Sequence, residues 1–297
     1  MTITTAKFHL PGLFEFHDLY ELFLNIYKEH RIYFYDYIEI TSIYGCPSDY
    51  IWSGGRVSSG NDDIYSTKRL LKQHNLSANL TFSNLFIKEE HLSDRKCNDL
   101  CKLFNESQNG IVICSDILLN YIKNNYPNYH FISSTTKVLT NPSDLINELR
   151  RNEFSYVVPD FRLNKNKTLF NSLNQNEKDK IELLVNECCD TNCAQRKVCY
   201  ENVSKKILGI ECEDHKCYSP ESKNGYVFSK AMKNPSFISN DDIINYYLPL
   251  GITNFKIEGR GLGSALVLEI LLYYLAKPEY QLNIREQIYL SNSLDLF

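Results

Sequence analysis

The sequence predicts an α/β chain folded as a (β/α)8 barrel, and three observations predict it. Short runs rich in Val, Ile, Phe, Tyr and Leu recur eight times along the 297 residues. Most are separated by segments whose apolar residues repeat with helical period. No Gly-rich nucleotide loop marks the strand–helix turn expected of an open dinucleotide-binding sheet. Strand alternating with helix reads as parallel βα units. Eight such strands in a chain of 297 residues favour the closed barrel over the open doubly wound sheet.

The elements follow in order. A helix is expected at DLYELFLNIYKEH (18–30), then a first strand at YIEITSIYG (37–45). DDIYSTKRLLKQHN (62–75) leads as a helix to SANLTFSN (77–84), and HLSDRKCNDLCKLFNES (91–107) to GIVICSD (110–116). In DILLNYIKNNYP (116–127), Ile117, Leu118, Tyr121 and Ile122 fall on one helical face before the strand YHFISSTT (129–136). Asn141-Pro142-Ser143-Asp144 opens a helix over 142–152 with a capping residue and an early proline. The fifth and sixth strands are FSYVVPDF (154–161) and IELLVNE (181–187), joined by a polar loop and short helix over 162–180. GYVFSK (225–230) is expected as the seventh strand and TNFKIEG (253–259) as the eighth. Between them lies NDDIINYYLPL (240–250), a helix capped at Asn240-Asp241-Asp242. One domain spanning 1–297 is expected. Its longest insertion, 188–224, follows the sixth strand and holds six of the ten cysteines.

Composition narrows the function classes. A net charge of -4 with no basic run longer than two leaves no footprint for nucleic-acid phosphates. The most apolar segment, ALVLEILLYYLA (265–276), carries Glu269 and falls short of the roughly 18 apolar residues that span a bilayer. The start, MTITTAKFHLPGLFEF, lacks the pattern of a secretory signal. A cytoplasmic protein without membrane insertion is expected. In that reducing compartment ten cysteines argue for thiol or metal chemistry over a disulfide framework.

A barrel places its chemistry at the carboxyl ends of its strands. That brings Asn84, Lys137, Asp160, Asn186, Glu187, Lys256, Glu258 and Arg260 to one mouth. Lys256 and Glu258 alternate along a strand and so face the same side. Lys256, Glu258 and Glu187 are the candidate catalytic groups. Arg260, Lys137, Asn84, Asp160 and Asn186 are the candidate substrate contacts, since Arg and Lys suit an anionic group. A structural ion network closing the barrel is the competing reading of Lys256, Glu258 and Arg260.

Cysteines crowd the polar stretch NECCDTNCAQRKVC (186–199), which a loop has no packing reason to do. Cys189-x3-Cys193 can reach one metal from a tight loop, and Cys212-x4-Cys217 can supply two more thiolates. A CxxC zinc knuckle is absent, and iron–sulfur clusters tolerate less regular spacing. Cys188, Cys189, Cys193, Cys212 and Cys217 are therefore the candidate metal ligands, for a 4Fe–4S cluster or alternatively zinc. Cys97, Cys101 and Cys114 read as helix-face or core residues.

Two stretches carry a family resemblance. FKIEGRGLGS (255–264) resembles the KIEGR signature of the collagenase-like peptidase superfamily. NECCDTNCAQRKVCY is similar to a motif of its relatives, Asn-Glu-x-Cys-x3-Cys-x2-Arg-x2-His-Tyr, matched by Asn186, Glu187, Cys189, Cys193, Arg196 and Tyr200. Cys199 stands where His is usual. The resemblance is nearest to the branch of oxygen-independent ubiquinone hydroxylation. It implies a (β/α)8 barrel and, in that branch, a 4Fe–4S cluster. Cys189, Cys193 and Cys217 come first as its ligands, with the fourth among Cys188, Cys212 and Cys46. The peptidase branch implies action on proteins. The functional expectation is an iron–sulfur barrel enzyme, or a subunit with a hetero-oligomeric partner protein, acting on a small molecule or peptide. The alternatives are a peptidase-like hydrolase and a non-catalytic peptide- or partner-binding barrel with a structural zinc.

Overall fold

The computed structural model describes residues 4–55, 62–217 and 226–291. Its eight strands are β1 (Ala6–Pro11), β2 (Ile38–Gly45), β3 (Ser77–Phe82), β4 (Gly110–Ile113), β5 (His130–Ser133), β6 (Phe154–Val157), β7 (Glu182–Leu184) and β8 (Asn254–Lys256). All pair in parallel, in the order β6-β5-β4-β3-β2-β1-β8-β7. Seven neighbouring pairs form ladders. The last pair, β6 and β7, meets through one bridge, Val157 to Ile181, where the Val157 N–H donates to Lys180 O at 2.8 Å. The expected (β/α)8 barrel is therefore what the chain forms, nearly closed.

Helices connect the strands on the outside. They are α1 (His17–Glu29), α2 (Ile64–His74), α3 (Arg95–Phe104), α4 (Asp116–Asn125) and α5 (Pro142–Leu149), one after each of the first five strands. The short pair α6 (Lys167–Ser172) and α7 (Gln175–Asp179) joins β6 to β7. Side-chain caps fix where they begin. Asp63 accepts from the Tyr65 and Ser66 N–H groups, Asp94 from Cys97, Ser115 from Leu118 and Asn141 from Ser143. Between β7 and β8 lie α8 (Arg196–Ile207), α9 (Phe228–Ala231), α10 (Asn240–Asp242), a π-helical turn (Ile243–Tyr247) and α11 (Leu248–Leu250). After β8 come α12 (Ser264–Leu275) and α13 (Gln281–Leu290). No described helix is long and apolar enough to cross a membrane.

Three expectations need correction. AKFHLP is the first strand, although its sequence did not read as one. GYVFSK is not a strand: Gly225 lies outside the described residues, Val227 is exposed, and Phe228 begins α9. It has no sheet position to fill, because β7 pairs directly with β8. The Cys-rich insertion accordingly follows the seventh strand rather than the sixth. The cap before α10 is Ser239, one residue earlier than expected, because its hydroxyl and the Asp242 carboxylate form a reciprocal capping box.

The strand pleat sorts side chains into two media. Outward, Phe8 packs on Phe255 and on Tyr274 of α12, with ring centroids 5.8 and 6.0 Å apart, inside one continuous apolar cluster. Inward, β1 presents His9, whose ring lies 5.8 Å from that of Tyr156 on β6. Strands so far apart in the sheet can touch only through the bore. The upper bore is a small apolar layer of Val112, Ile132, Val158 and Leu184. Beneath it the lining is polar: His9, Ser42, Asn79 and Glu182 are all buried there. Barrel interiors are ordinarily filled by bulky branched residues, so this polar layer is unusual.

Candidate active site at the barrel mouth

The site is assembled by the ends of β7 and β8. Asn186, just past β7, clamps the chain beyond β8. Its Nδ2 donates to Glu258 O at 3.0 Å, and its Oδ1 accepts from the Glu258 N–H at 2.7 Å. The clamp brings two carboxylates and a thiol together. Donor atoms of Glu187, Cys188 and Glu258 all lie within 4.8 Å of one another. Among the described residues this is the one trio of His, Cys, Asp or Glu side chains that converges so closely.

A cavity of about 270 Å³ opens beneath the trio. Val112, Val158 and Leu184 form its apolar floor, and Ser83, Ser134 and Thr136 give one wall hydroxyl groups. Lys256 reaches the floor from β8. Its Nζ bonds Glu182 Oε1 at 2.6 Å and sits 3.8 Å from the centroid of the Tyr44 ring. Two buried charges at this distance offset each other's desolvation, and the aromatic face adds a favourable cation–π contact.

The loop that carries Cys188 to Cys193 is held at both ends. Glu187 Oε1 accepts from the Cys189 N–H at 3.0 Å, and Asn234 Nδ2 donates to Cys189 O at 2.9 Å. Arg162 donates to Cys193 O at 3.0 Å while gripping Asp160 at 2.6 and 3.0 Å. Arg196, the first residue of α8, donates to Glu187 Oε2 at 2.6 Å and to Tyr200 Oη at 3.0 Å, and lies 3.4 Å from Asp160. Its guanidinium is stacked 4.6 Å over Phe161, so the loop motif is a packed, charge-balanced unit.

The expected site residues divide into two sets. Glu187, Glu258, Cys188 and Lys256 surround one cavity. Arg260 also lines it, but its donors reach Glu15 at 2.9 Å, Thr81 at 2.9 Å and Cys46 O at 2.6 Å, tying β8 across to β1, β2 and β3. Lys137 pairs with Glu148. Asn84 donates to Ile51 O and Ser204 O, fixing α8 over the mouth. Asp160 and Asn186 serve the ties already described. Tyr44 also lines the cavity, and Glu182 and His9, which the sequence reading did not single out, lie buried beneath its floor.

The other cysteines do not converge on a single-ion site. No three of Cys189, Cys193, Cys212 and Cys217 bring their sulfurs within 4.8 Å of one another. Cys189, Cys193 and Cys212 are half-buried and Cys217 is exposed. Asn202 Nδ2 lies 3.5 Å from the Cys212 sulfur. Cys46 is fully buried, and burial pushes its thiol far above the ordinary range. The two glutamates and Cys188 form a group whose donor atoms are close enough together to hold a single ion. They would supply three ligands, and the Arg196 and Cys189 N–H bonds orient the Glu187 carboxylate.

No protein-family model matches the chain, and no curated protein matches it. Its fold is similar to that of a solved U32 peptidase, with a TM-score of 0.54 and 13% sequence identity, covering 87% of this chain and 94% of that one. That likeness is one of fold, and it independently supports the barrel reading.

Proposed function

We propose that the chain is a metal-dependent, peptidase-like hydrolase working at the barrel mouth. The convergence of Glu187, Cys188 and Glu258 over a cavity carries this reading. Three protein ligands facing an accessible space are the pattern of a catalytic zinc site, with a position left for water. A thiolate between two carboxylates is electrostatically unfavourable as a free nucleophile, which favours a shared cation over Cys188 acting alone. The fold-level likeness to a U32 peptidase favours a peptide as the substrate.

When bound, a divalent cation would supply an activated water and polarise the scissile carbonyl. The chain's own residues do the rest. Ser83, Ser134 and Thr136 offer hydrogen bonds to a peptide backbone along one wall. The apolar floor accepts a side chain and excludes water from beneath it. Lys256, held by Glu182, places a fixed positive charge at the foot of the cavity, where it stabilises developing negative charge.

The test combines metal analysis with hydrolysis of a fluorogenic peptide library. Zinc at about one per chain, with activity, supports the proposal. Cys188→Ala and Glu258→Gln are each expected to lower metal affinity and activity at least about 100-fold with the fold retained. Full metal content and activity in both variants would sink the assignment. Anaerobically prepared protein carrying about four irons per chain would replace it with an iron–sulfur reading.

A further inference from the structure

One wall of the mouth cavity is built from hydrogen-bond donors. Thr81 and Ser83 stand two residues apart at the end of β3, so their side chains share a face, and both line the cavity. They are only 6% and 3% exposed. Arg260 lines the same space and bonds Thr81.

The directions of these bonds follow from the donors present. A guanidinium has five N–H hydrogens and no acceptor. Arg260 Nε donates to Glu15 at 2.9 Å and Nη1 to Thr81 Oγ1 at 2.9 Å. Nη2 donates to Cys46 O at 2.6 Å and lies 2.9 Å from Glu15. One Nη1 hydrogen is left over. Gly55, another cavity residue, keeps space open beside it, since a Cβ there would sit 3.1 Å from Nη1. Thr81 Oγ1 can only accept from Arg260, so its own hydroxyl hydrogen is also left to give. The Ser83 hydroxyl bonds no side chain or backbone group among the described residues, although Ser83 is nearly buried. Solvent can satisfy such donors, and a substrate that displaces it must bring acceptors.

Charge says what kind of acceptor. Arg260 and Lys256 line the cavity, but Glu15 and Glu182, the carboxylates that pair with them, do not. The cavity therefore meets the positive end of both ion pairs, which favours an anionic acceptor. Glu187 and Glu258 also line it and would repel an anion, but the cation proposed between them offsets their charge. The inference rests on that reading. The floor of Val112, Val158 and Leu184 closes the space below, and about 270 Å³ suits the end of a chain rather than a chain passing through.

We infer that the substrate is a peptide with a free C-terminal carboxylate, which Arg260, Thr81 and Ser83 hold while its last residue occupies the cavity. Hydrolysis then breaks the last peptide bond. The oxygen of water bonds to the acyl carbon, the C–N bond breaks, and a proton from that water passes to the amine of the released amino acid. The three donors bind the carboxylate and do not touch the reacting bond.

Calorimetric titration with an uncleavable pair of ligands tests this. Levulinate is N-acetylglycine with a CH2 in place of the peptide nitrogen, and levulinamide is its neutral amide. Levulinate should bind the purified protein at least about 10-fold tighter than levulinamide. Ser83→Ala removes no bond within the fold and should weaken levulinate about 10-fold, with levulinamide and metal content little changed. Thr81→Val should act in the same direction. Equal affinity for the two ligands overturns the inference. So does a full preference for levulinate in both variants, which would put the carboxylate on the cation instead. Binding of N-acetylaspartic acid α-amide as tight as that of levulinate would assign the wall to a side-chain carboxylate and overturn the terminal assignment. Binding needs no turnover, so a protein that prefers levulinate through Ser83 but cleaves no peptide would lose only the hydrolase reading. A protein that cleaves C-terminally amidated peptides as fast as the free acids would lose only this inference.

Discussion

Phe8 and His9 are neighbours on β1, yet the barrel places them in different media. Phe8 faces the helices, fully buried among Phe255, Tyr274 and the rest of a continuous apolar cluster. His9 faces the bore, within a layer that contains Glu182, Asn79 and Ser42. Outside the strands, stability comes from apolar area and shape. Inside them, it comes from the pairing of charges and hydrogen-bonding groups. The two faces should therefore fail in different ways.

The largest effects come from one change on each face. Phe8→Ala should destabilise the fold by about 3–5 kcal/mol in urea denaturation, because the ring's cavity cannot fully collapse. That loss should be the same at neutral and acid pH. Glu182→Gln should cost a similar amount, about 3–5 kcal/mol at neutral pH, because it leaves Lys256 buried without its counter-charge. This second loss should shrink on acidification, as the wild-type carboxylate itself becomes protonated. Equal pH dependence for the two variants would erase the distinction between the faces.

A smaller effect is expected at Gly110, which lines the bore. An added Cβ would sit 2.5 Å from His130 Nε2 and 2.6 Å from Asn79 Oδ1. Gly110→Ala should therefore cost about 1–3 kcal/mol through overpacking, measured as a shift in the urea midpoint.

The smallest change at neutral pH is His9→Asn, about 1 kcal/mol or less, but it should alter the acid limb. Burial lowers the protonation range of His9 below its ordinary value of 6.5. Burial alone would raise the Glu182 carboxyl, but Lys256 and then His9 more than offset it, leaving it below its ordinary value of 4.5. Both groups hold fewer protons folded than unfolded, so stability rises with pH. The His9 contribution is complete above 6.5 and is lost as the pH falls toward its folded value. The Glu182 contribution is complete above 4.5 and is lost at still lower pH. His9→Asn should flatten the first stage and weaken the second, because His9 also helps hold the Glu182 carboxyl down. An unchanged curve of stability against pH would show that His9 does not titrate in the bore.

The same contrast explains what the sequence could disclose. Seven of the eight strands carried β-rich runs with enough apolar residues to be recognised. AKFHLP was passed over because its inward residues are polar, matching a bore whose chemistry was not yet in view. GYVFSK was taken in its place because Tyr226, Val227 and Phe228 imitate a strand. Tyr226 Oη instead bonds Asn186 at 3.3 Å, bracing the end of β7. The total of eight thus came from one omission and one false strand.

At the mouth, Glu187, Cys188, Lys256 and Glu258 were legible because strand ends and alternation are local signals. The shared face of Lys256 and Glu258 was legible, but the carboxylate that pairs with Lys256 is Glu182. That pairing joins residues separated by 74 positions, and only the β7–β8 register brings them together. The cations chosen as substrate contacts were visible as charges. The carboxylates that engage them, Glu15 for Arg260 and Glu148 for Lys137, come from distant or opposing segments.

The single bridge between β6 and β7 gives the barrel a seam. Its other strand junctions are laddered, so opening there breaks the fewest backbone bonds and turns a cylinder into a curved ribbon. Val157, whose N–H closes the seam, should exchange its amide hydrogen sooner than Ile132 in the laddered β5. The edges that part would belong to β6 and β7, the latter carrying Glu182. The bore would thus admit solvent first beside the charge it keeps most deeply buried.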